Sequence, residues 1–118
     1  MIYTSDSASL ATLEMLVHLG RSLSLPQYVI FGCEFDDSLV EEIEASLLPV
    51  NWRSYPAPPD LAQLGDQWIQ QGRSAVLRVP SAVLDTQSNY LFNPLHSSFR
   101  KIRISGPQRF TLDLRLLQ

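Results

Sequence analysis

Cysteine is almost missing from this chain of 118 residues: Cys33 stands alone, so no disulfide can form within it, and a reducing compartment such as the cytoplasm is the expectation. Histidine is scarce too. His18 and His96 stand at metal-ligand spacing neither from each other nor from Cys33, and no metal is expected. No apolar run approaches the ~18 residues that a membrane-spanning helix requires, so no membrane association is expected. The opening "MIYTSDSAS" has neither the basic nor the apolar segment of a secretory signal. There is no G-x-G-x-x-G, no P-loop and no G-x-S-x-G, which sets aside the common dinucleotide folds, the P-loop NTPases and the serine hydrolases.

What is present is an ordinary globular composition, 45% hydrophobic and 18% charged, at a length that suits one domain with a modest core. The net charge of −3 hides an asymmetry. Residues 1–72 carry ten Asp or Glu against Arg21 and Arg53, whereas residues 73–118 carry seven Lys or Arg against Asp85 and Asp113. Oppositely charged faces of one domain account for this, and so would a basic half that receives an anionic ligand such as a phosphate ester. The basic stretch "FRKIRIS" offers only Lys101 and Arg103 on one face, without interleaved aromatics, too small a footprint for direct nucleic-acid binding.

Along the chain, Ile2 and Tyr3 read as the end of a β-strand whose earlier residues are absent. Ser5, Asp6 and Ser7 offer caps for a helix over 8–19, where Leu10, Leu13 and Val17 recur at helical spacing and Gly20 can close the end. Residues 27–35 are rich in β-formers, with Gly32 as a candidate bulge. "DDSLVEEIEASLLP" reads as a short acidic helix or turn, and the proline-rich "NWRSYPAPPD" as an ordered loop. Asp60 then caps a helix over 61–71 that puts Leu61, Leu64 and Trp68 on one face and stops at Gly72. A strand over 75–79 ends at Pro80. Alternation over 101–105 and again over 110–116 predicts two antiparallel strands around a Gly106-Pro107 turn.

Three places could carry chemistry. Glu14 falls about 40° from Leu10 and about 60° from Val17 around the first helix, at the edge of the apolar stripe, so its carboxylate must be paired, hydrogen-bonded or facing a cavity. An i,i+4 pair with His18 is the simplest resolution. Ser81 follows Pro80 at a strand end, where its hydroxyl projects into a cleft or closes a local turn. Asn89 and Asn93 flank the apolar Tyr90, Leu91 and Phe92 in "NYLFNPLH", as turn residues or as hydrogen-bonding groups.

Taken together, "YTSDSASLATLEMLVHL", "VNWR", "LGDQWIQQGRSAVLRVPSAV" and "NYLFNPLH" resemble the RES-domain family, the toxin half of bacterial RES–Xre toxin–antitoxin pairs. The resemblance runs from Tyr3 to "FTLDLRL" and makes the 118 residues a single RES domain. It implies an α+β, ADP-ribosyltransferase-like fold with a split, mainly antiparallel sheet and a central NAD cleft. It also implies cleavage of the nicotinamide–ribose bond of NAD, used as substrate. Glu14 in "LATLEMLVH", Ser81 in "RVPSAV" and Tyr3 match the family's Glu, Ser and Tyr. On that basis Glu14 stabilises the charge that develops on the ribose, Tyr3 stacks on nicotinamide, and Ser81 bonds the ribose or the carboxamide. Asn89 and Asn93 brace the NAD cleft behind Ser81.

An Xre-type antitoxin and a second copy of the chain are the partners this family implies. The sequence departs from the family in lacking, before Tyr3, the segment with the signature arginine, and the edge so exposed would favour pairing with another chain. The alternative is a RES remnant that no longer turns over NAD and only binds an antitoxin or itself.

Overall fold

A computed structural model describes residues 1–19 and 28–117. Gly20 and Gln27, expected at a helix end and a strand start, lie outside the described residues. Among the described residues the fold is a mixed α/β structure with two α-helices and two sheets. The strands are β1 (Ile2–Ser5), β2 (Tyr28–Glu34), β3 (Val40–Glu42), β4 (Val76–Pro80), β5 (Ser88–Phe92) and β6 (Arg103–Phe110), and the helices are α1 (Ala8–Leu19) and α2 (Pro59–Gln71). Among the described residues a four-stranded sheet has the order β1-β5-β4-β3, a two-stranded ribbon pairs β2 with β6, and every pairing is antiparallel except β3 with β4.

Register decides which side chains share a face. Tyr3 lies opposite Leu91, which lies opposite Leu77, and Ser5 lies opposite Asn89, which lies opposite Val79. Because side chains alternate along a strand, these six residues share one face, while Ile2, Thr4, Val76, Arg78, Tyr90 and Phe92 share the other. Each face has its own core. Val76 and Phe92 bury against Ala75 and Ile102, with Phe35, Val40 and Phe99 packed around them. On the first face Leu77 and Leu91 bury against Trp68 of α2. Full burial of one such side chain stabilises the fold by roughly 1.5–3 kcal/mol.

Local chemistry sets the element ends. Pro59 opens α2 because it has no N–H to leave unsatisfied, so the helix starts before Asp60, which sits in the first turn instead of capping it. Gly72 closes it in the left-handed conformation, φ 60°, with its N–H on the Trp68 carbonyl. Leu61 and Leu64 are half-buried on the Trp68 side, as their spacing predicts.

Three expectations are corrected. The acidic stretch is two short 3-10 turns around β3, three residues that pair with β4 through Val40 and Val76. Residues 101–116 are not a hairpin, since β6 runs through Gly106-Pro107 and a 3-10 turn follows at Leu114–Leu117. Gly106 takes φ 112° opposite the irregularity at Ile30 and Gly32, and a Cβ there would sit 2.9 Å from the Ile30 carbonyl oxygen. That is a bulge in paired strands rather than a turn. In α1, Leu10 is fully buried while Leu13 and Val17 are 40% and 58% exposed, so the inward line passes through Leu10 and Glu14.

Candidate functional site

Pro80 ends β4 without an N–H to extend the ladder, and the chain turns back to β5 through residues 81–87. Ser81 anchors that loop. Its N–H donates to the Gln87 carbonyl (3.0 Å), and its Oγ accepts from the Val83 and Leu84 N–H groups, each at 3.1 Å. The same hydroxyl donates to Glu14 Oε1 at 2.6 Å. One proton and two lone pairs are thereby all engaged, and the residue is 0% exposed.

Asn89 reaches the same oxygen from β5. Its Nδ2 donates to Glu14 Oε1 at 2.8 Å, and its Oδ1 accepts from Ser5 Oγ at 2.9 Å. Glu14 lies one turn beyond Leu10 on the inner face of α1, so the helix aims its carboxylate at the end of the four-stranded sheet. Its charge is met there by a hydroxyl and an amide, in place of the i,i+4 pair with His18. Both donors land on Oε1, and among the described residues no hydrogen-bond donor reaches Oε2. Donor bonds to an ionised acceptor are about twice as strong as neutral ones, which fixes the carboxylate.

Glu14, Asn89 and Tyr3 line one open cavity of about 540 Å³, walled otherwise by Leu77, Val79, Trp52 and the start of α2. Tyr3 is 74% exposed, and its ring is available to a ligand. A larger open hollow of about 1090 Å³ adjoins it, between β1 and the ribbon, and Tyr3 borders both. The phenol of Tyr90, on the opposite face of the sheet, is held above the ordinary tyrosine range chiefly by burial, and further by the nearby Asp6 carboxylate. Burial likewise raises the Cys33 thiol.

Of the sequence candidates, the fold brings Glu14, Ser81 and Asn89 into direct contact and sets Tyr3 beside them. Asn93 stands apart, at the other end of β5. It is 2% exposed, its Oδ1 accepts from the Leu95 N–H at 3.1 Å, and its N–H donates to the Ala75 carbonyl at 2.9 Å. Its carboxamide closes an Asx-turn after the strand rather than bracing the wall behind Ser81. Among the described residues no group of three His, Cys, Asp or Glu side chains is placed to hold a metal ion.

Two residues of "VNWR" border the site. Trp52 forms part of the cavity wall. Arg53 reaches across to the Ser81 loop, with Nε on the Ala82 carbonyl at 3.1 Å and Nη1 on Asp85 Oδ2 at 3.0 Å. Nothing in their spacing announces this, because the partners lie 29 and 32 residues away.

A family profile described as the RES domain matches residues 1–113. Among curated relatives, a protein named Toxin Res from Yersinia enterocolitica is 40% identical over 116 residues, covering 98% of this chain and 76% of the relative. The Prs ADP-ribosylating toxin of a Sphingobium species is 32% identical over 122 residues, covering 100% and 75%. A second Toxin Res, from Photorhabdus laumondii, is 30% identical, with 99% and 76% covered.

Proposed function

This chain belongs to the RES domain family, and we propose that it is a toxin that consumes NAD by breaking the nicotinamide–ribose bond. The observation that carries the reading is the convergence of Ser81 and Asn89 on one oxygen of Glu14, at the rim of a cavity that Tyr3 also lines. Its volume of about 540 Å³ lies within the ordinary range of small-molecule sites. The similarity to a protein named as an ADP-ribosylating toxin supports NAD as the substrate.

The bond breaks with its electron pair going to the pyridinium nitrogen, so nicotinamide leaves neutral and needs no general acid. Positive charge builds on the ribose, with the oxocarbenium character known from glycoside hydrolysis. Glu14 Oε2, which no donor among the described residues reaches, supplies the compensating charge from a carboxylate already oriented by its other oxygen, and such preorganisation is where electrostatic catalysis gains most. Tyr3 stacks on the nicotinamide ring. Ser81, buried and saturated, acts through Glu14 rather than on the sugar, and Asn89 does the same. Water, phosphate or a protein side chain then takes the ADP-ribose.

Relatives named as toxins support a role paired with an antitoxin, and we place an Xre-type protein and a second copy of the chain as its partners, in the cytoplasm where NAD is held. Among the described residues β1 is an edge strand of its sheet, and a sheet edge is where another chain can pair. Release of nicotinamide from NAD by the purified chain tests the reading. A steady release is expected. None at all, from folded protein with NAD bound, overturns it in favour of a binding module.

A further inference from the structure

Arg53 lies outside the cluster that faces the cavity, yet it joins the two loops that frame it. The loop before α2 carries Trp52, a wall of the cavity, and the loop after β4 carries Ser81. Arg53 spans them with two donors, one to the Ala82 carbonyl and one to Asp85, and its guanidinium carbon lies 5.9 Å from the Trp52 ring centre. Ala82 and Asp85 bracket Val83 and Leu84, whose N–H groups hold the Ser81 hydroxyl that donates to Glu14.

We infer that Arg53 is a positioning residue for Glu14: by clamping residues 82–85 it fixes the Ser81 hydroxyl, and through it the carboxylate. The inference rests on the NAD-cleaving reading for its effect on turnover, and on the contacts alone for its effect on the loop. Stability is not the reason for the clamp. The Arg53–Asp85 pair is 45% and 53% exposed, and such surface pairs add little to folding. A two-pronged grip on a backbone carbonyl and a carboxylate is instead the geometry that a planar guanidinium serves and a lysine does not.

The test compares wild type, Arg53→Ala and Arg53→Lys, each with and without Ser81→Ala, by steady-state cleavage of NAD and by amide hydrogen exchange. Arg53→Ala is expected to lower kcat about tenfold with KM changed by less than about twofold, since the loss falls on the transition state. Arg53→Lys, keeping one contact of two, should fall between. In the Ser81→Ala background Arg53→Ala should cost nothing further, because a residue that acts through another is silent once that other is gone. An unchanged kcat, an equal loss in both backgrounds or a rise in KM alone overturns the inference. Exchange at the Val83 and Leu84 amides should quicken about tenfold in Arg53→Ala, as local opening becomes easier. Unchanged exchange there overturns the clamp whether or not NAD is cleaved. Faster exchange in a protein inert toward NAD would overturn the NAD reading and leave the clamp standing.

Discussion

The hydroxyl of Ser81 and the carboxylate of Glu14 stand 2.6 Å apart across 67 residues of sequence, one at the end of β4 and the other on the inner face of α1. This contact ties helix to sheet at the point where the cavity opens. Both donors meet the carboxylate at Oε1, and among the described residues none reaches Oε2.

Ser81→Ala removes three hydrogen bonds at once. Two backbone N–H groups, of Val83 and Leu84, lose their acceptor, and of the donors to Glu14 among the described residues Asn89 alone remains. Leaving buried donors without partners costs about 1–3 kcal/mol. Urea denaturation should show a loss of that size with an unchanged slope, and NAD cleavage should fall with it. A loss below about 0.5 kcal/mol would mean that the loop re-satisfies those groups by itself.

Tyr90 gives the fold a pH dependence at the alkaline end. Burial first, and then the charge of the Asp6 carboxylate, raise its phenol above the ordinary value of 10.0. The folded pKa therefore exceeds the unfolded one, so the stability linked to the neutral phenol is fully present below the unfolded value and is lost as pH rises through the folded one. Denaturation midpoints measured across that range should drop for the wild type and drop less for Tyr90→Phe. Equal alkaline losses in the two proteins would contradict the assignment.

Helix α2 was legible in the sequence because its apolar positions keep helical spacing and Gly72 marks its stop. β4 was legible because Pro80 marks its end. β3 was not. Three residues within an acidic stretch carry no period, and they become a strand only because β4 offers them a partner. The alternation around Gly106 was real but misread, since a glycine with positive φ serves a bulge as readily as a turn, and only the pairing with β2 decides between them. In the site, a carboxylate beside Leu10 already required partners on physical grounds. Which partners it has depends on register, since β5 places Asn89 opposite Ser5 and Val79 and carries Asn93 beyond the strand's far end. The contacts of Arg53 are hidden for the same reason, because its partners lie in a loop 29 to 32 residues downstream.

The central claim is that the charge of Glu14 does the chemistry. Glu14→Gln tests it most directly, because the amide oxygen can still accept from Ser81 and Asn89 while the negative charge is lost. Nicotinamide release from NAD should fall by about 10²–10³ in kcat, the scale on which a preorganised electrostatic group acts, with the melting temperature shifted by only a few degrees. A variant that releases nicotinamide within about twofold of the wild-type rate would contradict the account.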